Sequence, residues 1–433
     1  MLCYQSPMNE SDTVPLTVLK HPPFLFFWTA RTAASIAWQI QAVAVGWQMY
    51  ELTGSAFDLG LVGLAEFVPL IAFMLAVGPL ADRYDRRRLM QLFQLLEVVC
   101  AAGLAYGTYT GIISKEFILI LVFILGTGRA FEAPTSSTVL PSIVPPALFP
   151  KAVATNSSAT QIATIIGPAI GGLLYALSPT LVYTVCASCF LLSIVLLSMI
   201  RISVRSKTRA PLTLASIFAG FHYIRFNRIV LGVMSLDLFA VLLGGAVALL
   251  PIYASDVFHV GAEGLGLLRA APAAGALITI TIMSRWSIRS HVGKVLLGSV
   301  AVFGLATVVF AISTSFWLTM AALAITGAAD SVGVILRMTL VQLETTDEMR
   351  GRVMAVNSLF IGTSNALGAF RAGAMAAWLG ALPAVLVGGI GSIAVAVIWV
   401  RWFPTLYRVQ DFPPQRVSAD TAETAMKEAS ASV

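Results

Sequence analysis

Ten ionisable side chains in long apolar stretches are the candidates for chemistry: Arg31, Glu66, Glu97, Arg129, Glu132, Asp237, Arg269, Asp330, Arg337 and Arg371. Charge inside hydrocarbon is expensive, so each needs a partner or a water-filled cavity. Such groups pair, bind a polar solute or carry a proton. Arg129 and Glu132 are three apart and share a helix face, where they partly neutralise each other. Asp330 and Arg337, seven apart, also share one. Two arrangements stay open. In the first, structural ion pairs join the two halves of the chain, for instance Arg31 with Asp237 and Arg129 with Asp330. In the second, a carboxylate in a low-dielectric cavity loads a proton on one side and releases it on the other, with Asp237 and Glu132 as first choices. Arg31 and Arg371 then attract an acidic or anionic solute, with Gln39, Gln41, Asn357 and Asn365 as hydrogen-bonding neighbours. Glu97 and Arg269 lie nearer the predicted ends, where long side chains snorkel to the interface.

The elements that must hold these groups follow from composition. Of 433 residues, 58% are hydrophobic and 11% charged, against roughly one-quarter charged in a soluble domain. This is the composition of an all-α polytopic membrane protein. Apolar windows long enough to cross a hydrocarbon core of about 30 Å recur from Phe24 to Phe403. About twelve are predicted, near 24–50, 57–80, 89–110, 117–140, 155–177, 181–200, 229–253, 264–284, 294–313, 316–340, 353–376 and 381–402. They are too long and too uniformly apolar for the alternating strands of a barrel. The first 23 residues lack a basic segment followed by a small-residue cleavage site, so no cleaved signal is expected. Pro22 and Pro23 suit the start of span 1. After Phe403 the chain turns polar and rich in Pro, Ser, Thr and Ala, which predicts a loose tail.

Charge distribution sets the orientation. Turns after even-numbered spans carry Arg83, Arg86, Arg87, Arg88, Lys151, Arg201, Arg205, Lys207, Arg209, Arg225, Arg228, Arg285, Arg289, Lys294, Arg350 and Arg352, while turns after odd-numbered spans carry only Lys115. By the positive-inside rule the basic turns and both termini are cytoplasmic. The net charge of +6 is therefore a topology signal and requires no nucleic-acid partner. Cys3, Cys100, Cys186 and Cys189 have no metal-ligand spacing, and the four histidines are scattered with no HExxH helix. No glycine-rich phosphate loop with Lys-Ser/Thr is present. No enzyme activity, metal or cofactor is expected, and the energy source would be a proton gradient. Trp28, Trp47, Tyr50, Trp317, Trp378 and Trp402 lie near span ends as interfacial anchors.

Two sequence features describe how the spans are arranged. Sliding the chain on itself by 201 positions superposes Ala154, Asn156, Ser157, Gly167 and Gly172 on Ala355, Asn357, Ser358, Gly368 and Gly373. It also places Gly126 on Gly327 and Arg129 on Asp330. Duplicated halves around a midplane site are a common transporter design. The predicted layout is a segment 1–23, a six-helix bundle 24–200, a cytoplasmic linker 201–228, a second bundle 229–403 and a tail 404–433. The second feature is the turn Gly78-Pro-Leu-Ala-Asp82-Arg83-Tyr-Asp-Arg86-Arg87-Arg88 between spans 2 and 3. Gly78 allows a neighbouring helix to approach, and Asp82 can meet the positive N-terminal end of a helix. Arg83, Arg86 and Arg87 can pair with Asp82, Asp85 or lipid phosphates.

With Ile166-Gly167-Pro168-Ala169-Ile170-Gly171-Gly172 in span 5 and Arg350-Gly351-Arg352 entering span 11, the chain resembles the major facilitator superfamily. Within it, the chain is similar to the bacterial branch containing the enterobactin exporter and related secretion or drug-efflux proteins. The resemblance implies two pseudo-symmetric bundles, with spans 1, 4, 7 and 10 around a central cavity. Arg31, Glu66, Arg129, Glu132, Asp237, Asp330 and Arg371 are the expected cargo and proton residues. It implies that Asp82 meets span 11 at about Arg352 to Val353 and that Gly78, Asp82, Arg83, Arg86 and Arg87 form a cytoplasmic gate. Gly167, Pro168, Gly171 and Gly172 form a packing face that can bend, found in proton-driven exporters. The expected protein is a monomeric, proton-coupled exporter of a small amphiphilic or anionic molecule, such as a siderophore, metabolite or drug, in the bacterial inner membrane. An importer and a non-transporting membrane sensor or assembly partner are the alternatives.

Overall fold

In lipid every backbone N–H and C=O must find a partner within the protein, and long apolar runs do so as helices. The computed structural model describes residues 18–83, 85–200, 214–286, 288 and 290–412, with backbone alone for 74–83, 133–134, 137–138 and 214–217. The described chain is helical. Spans 1 to 6 are Pro22–Thr53, Ala56–Arg83, Arg86–Thr110, Lys115–Ile143, Phe149–Leu177 and Pro179–Ser198. Span 7 runs Arg228–Val257. Spans 8 to 12 are Gly261–Arg285, Val292–Ile312, Phe316–Glu344, Asp347–Leu379 and Ala381–Trp402. Among the described residues, ten of the twelve contain a window long and apolar enough to cross a membrane by composition. Span 1 is more polar, with Gln39, Gln41 and Gln48 along it.

Polar side chains fix the short turns. Asp85 accepts from the backbone N–H groups of Arg87 and Arg88 at the start of span 3, and Ser178 caps span 6 through Leu181. Asn227 caps span 7 through Ile229 and Val230. Each satisfies donors that a helix start leaves free. Span 7 is not a continuous helix. Its regular part ends at Gly244, and the chain continues as a 3-10 turn Ala246–Leu249, a short turn Leu250–Ile252 and a π-helical turn Tyr253–Val257.

Within the first half, spans 1/5, 1/6, 2/4, 3/4 and 3/6 pack together; within the second, 7/11, 7/12, 8/10, 9/10 and 9/12 do. The halves meet mainly along spans 5/8 and 2/11. At the end away from the basic turns, one apolar core runs through both halves and includes Val43, Tyr183, Leu250, Leu265, Phe310 and Ala372. Toward the basic end the core of the described residues divides. One cluster, with Phe24, Met90 and Leu197, belongs to the first half, and another, with Val233, Leu340 and Trp399, belongs to the second.

Two segments expected to lie outside the bundles are partly ordered against them. Within the linker, Leu214–Phe226 is helical and packs on span 11. A side chain at Gly220 would come within 2.8 Å of the Arg352 carbonyl, so the helix approaches closely. Of the expected tail, Pro404–Tyr407 forms a turn whose Leu406 is buried. Val292 and Gly293 donate to the carbonyls of Gln410 and Val409 at 3.1 and 3.0 Å. The apolar residues Leu406, Val409 and Phe412 dock on the second bundle and extend its core. The rest of the expected N-terminal segment, linker and tail, residues 1–17, 201–213 and 413–433, lies outside the described residues.

Candidate functional site

The two halves enclose a cavity of about 820 Å³, lined from spans 1, 2, 4, 7, 8, 9, 10 and 11. That size suits a small organic solute. Four charged side chains line it: Glu66 and Arg129 from the first half, Arg269 and Asp330 from the second. Each half contributes one cation and one anion. Apolar walls include Trp38, Phe67 and Phe303. The Arg129 guanidinium lies 3.4 Å from the Trp38 ring centroid, a cation–π contact that holds the charge at the cavity wall. Gln41 also lines the cavity. It is 3% exposed, and among the described residues neither its amide oxygen nor its nitrogen has a partner.

The break in span 7 forms another wall through Gly244, Gly245, Val247, Ala248 and Pro251. Breaking the helix leaves the carbonyls of Leu242 and Leu243 without their intrahelical donors. Arg371 of span 11 supplies them: its Nε donates to Leu242 at 3.0 Å and Nη2 donates to Leu243. Nη1 contacts the Met375 sulfur at 3.1 Å. All three nitrogens are engaged, and Arg371 is absent from the cavity lining. The expectation that it attracts an anionic solute therefore gives way to a cap on a helix end. The signal for it was the Gly244-Gly245 pair followed by Pro251, which marks a helix that must end.

The other sequence-predicted residues separate by half. Arg31 pairs with Glu132 at 2.6 Å, and Gln94 donates to the same Glu132 oxygen at 3.2 Å. This places Arg31 with a carboxylate of its own half, not with Asp237. Glu132 in turn is held by Arg31 and Gln94 rather than by Arg129. Asp237 pairs with Arg337 inside the second half, both below a tenth exposed. That pair borders a small pocket of about 20 Å³ which Asp330 also lines. Neither arrangement of cross-half pairs, Arg31–Asp237 or Arg129–Asp330, is among the ion pairs of the described residues. Asn365 lines the cavity. Gln39 instead donates to Thr164 at 3.1 Å, and Asn357 reaches the Met338 sulfur.

Two residues expected to snorkel are deep. Span 8 starts at Gly261 and span 3 at Arg86, each three residues earlier than predicted. Arg269 thus stands two turns in and lines the cavity, and Glu97 stands three turns in and is 1% exposed. Placing a span start a few residues late turns a buried charge into an interfacial one on paper.

Of the gate residues, Gly78, Asp82 and Arg83 have backbone in span 2, while their side chains lie outside the described residues. Arg87 donates to the Ile200 carbonyl at 2.6 Å, tying span 3 to the end of span 6. Arg86 is half-buried. The N-terminus of span 11 is at Asp347, earlier than the expected Arg352 to Val353. Asp347 and Glu348 occupy its first turn, where they already complement the helix dipole.

The span 5 glycines face two helices. A side chain on Gly171 would come within 2.9 Å of the Ile40 carbonyl in span 1, and the Gly172 position abuts Ala262 and Glu263 of span 8. Gly167 faces Gln39, and the Pro168 carbonyl faces Gly266. This face thus joins span 5 to its own half and to the other half. Among the described residues no group of three or more His, Cys, Asp or Glu could hold a metal.

A family model described as transmembrane secretion effector matches residues 13–433. Enterobactin exporters EntS of Escherichia coli and Escherichia fergusonii are 27% identical over 424 residues, covering 95% of this chain and all of theirs. Among solved structures, the nucleoside transporter NupG in a mutant form matches with a TM-score of 0.72 at 13% identity, over 88% of this chain and 100% of that one. A D-xylose-proton symporter matches with 0.65 at 13%, over 88% and 98%. Two six-helix halves around a charged cavity are thus the fold of known transporters, and the sequence match extends across nearly the whole chain. The chain belongs to the transmembrane secretion effector family of the major facilitator superfamily.

Proposed function

We propose that this protein is a monomeric secondary transporter that exports a small amphiphilic molecule across the bacterial inner membrane by alternating access, coupled to the proton gradient. The observation that carries this reading is the divided core. Among the described residues, one apolar core crosses both halves at the end away from the basic turns, and separate cores serve each half toward the basic end. With the basic turns in the cytoplasm, this supports a form closed to the outside with its cavity on the cytoplasmic path, the form in which an exporter loads cargo. The name carried by the curated relatives, enterobactin exporter, supports the direction.

The cavity lining favours one kind of cargo. Glu66, Arg129, Arg269 and Asp330 sum to no net charge, so the site suits polar or oppositely charged groups on an apolar body, such as a siderophore, a secreted metabolite or a drug. Gln41 offers an amide nitrogen that donates and a carbonyl oxygen that accepts for such a group. A comparison of metabolites outside and inside cells with and without the protein tests export. A species retained in cells lacking the protein identifies the cargo; a species retained in cells containing it marks an importer. Proteoliposome transport that is unchanged when the pH gradient is collapsed would remove the proton from the mechanism.

A further inference from the structure

We propose that Glu97 is a proton-binding site of this chain, with Gln94 as its built-in acceptor and Arg129 as its link to the cavity. The sequence places Gln94 and Glu97 three apart on one face of span 3, directed at spans 4 and 6. Gln94 is 0% exposed and Glu97 1%. Span 4 receives the carboxyl at Gly128, where an added side chain would meet Glu97 Cγ at 3.4 Å and Oε1 at 3.7 Å.

Hydrogen-bond capacity points to the proton. Gln94 spends its amide nitrogen on Glu132. Among the described residues, its Oε1 and the Glu97 Oε2 are both buried with no partner. These are two acceptors on neighbouring turns of one helix face. An ionised carboxylate accepts only, whereas a protonated one also donates. One proton on Glu97 converts an acceptor into a donor on the face it shares with Gln94.

The charged groups acting on Glu97 are Glu132, Arg31 and Arg129. On its own helix Cys100 lies beside it, and from span 6 the buried titratable side chains are Tyr183 and Cys186. Arg31 is committed to Glu132 at 2.6 Å. Arg129 has no carboxylate among the ion pairs of the described residues and projects against Trp38 into the cavity lining. With Glu97 ionised, the two carboxylates and two guanidiniums of this cluster balance. With Glu97 protonated, one positive charge is left over, and it resides on the residue that faces cargo. A proton on Glu97 is therefore felt at the binding site through Arg129 without occupying the cavity. This role rests on the proton-coupled reading above, while the binding of the proton itself does not.

Infrared difference spectra of the purified full chain, recorded across a pH titration without cargo, test the proton directly. The expected result is a carboxylic C=O band that titrates in the parent protein, disappears in Glu97→Gln and persists in Glu132→Gln. Glu97→Asp keeps the side chain ionisable and must move the band, so the assignment stands or falls even if Glu97→Gln does not fold. A band unchanged in either Glu97 variant, or no titrating band in the parent, overturns the proposal. Proteoliposome transport under a collapsed pH gradient reads coupling separately: a band with uncoupled transport retains the site and rejects proton coupling of transport.

Discussion

Pairing of charges decides what each ionisable residue is free to do. Asp237 and Arg337 are both buried and spend their charge on each other, which makes Asp237 a poor first choice for cargo or proton. Removing one partner strands the other in a dry interior and costs about 3–5 kcal/mol, while replacing both by apolar groups is often neutral. Asp237→Asn and Arg337→Met are each expected to lower the thermal unfolding midpoint of the purified protein sharply, and the double variant Asp237→Leu/Arg337→Met to recover most of the loss. Equal losses in single and double variants would show that the pair is not what stabilises this region. Glu66, Arg129, Arg269 and Asp330 differ in having the cavity as their surroundings, so their neutralisation should act on transport first.

Span 7 shows how an interrupted element becomes a wall of the site. Its helix stops at Gly244, and the chain beyond lines the cavity. Arg371 stabilises the stop by donating to the Leu242 and Leu243 carbonyls. Hydrogen bonds from a charged donor are worth about 1.5–3 kcal/mol. Arg371→Met is therefore expected to lower the thermal midpoint and reduce transport while the protein still reaches the membrane. Arg371→Lys should restore little, because an ammonium does not present the planar fork that reaches two carbonyls at once. Thermal melts of both variants check this, and a lysine variant equal to the parent would refute the cap.

Alternating access needs breakable contacts at both ends of the molecule. At the end away from the basic turns, Tyr50 of span 1 donates to Asp256 of span 7 at 2.5 Å, and Phe57 meets Phe370 edge-on at 5.8 Å. Loss of one such bond is worth about 1 kcal/mol, or roughly a fivefold shift between two states. Tyr50→Phe should raise labelling of Gln41→Cys by a membrane-impermeant maleimide added outside by about that factor. Asp82→Asn, at the opposite end, should lower it if the turn after span 2 latches the cytoplasmic side. Contacts at opposite ends are independent, so their free energies add and the double variant should fall between the two. Labelling that ignores both substitutions would mean that neither contact biases the states.

Much of this architecture is written in the linear sequence. Apolar runs of about twenty residues fixed the number of spans, because only helices satisfy their own backbone in lipid. Basic turns after even-numbered spans gave an orientation, and the 201-residue offset gave two halves. The site was legible only as a set of candidates. Helical periodicity tells which residues share a face of one helix, but not which face of a neighbouring helix it meets, or at what depth. That is why Arg31 could be matched with Asp237 as readily as with Glu132, and why Arg371 looked like a cargo residue. Packing settled these questions. Rotation of span 1 brings Arg31 to Glu132, rotation of span 10 brings Arg337 to Asp237, and the break in span 7 creates carbonyls that only a neighbouring side chain can satisfy. Depth settled Glu97 and Arg269, since three residues at a span start move a charge by nearly one helical turn. Sequence determined what had to be buried; tertiary structure decided beside what.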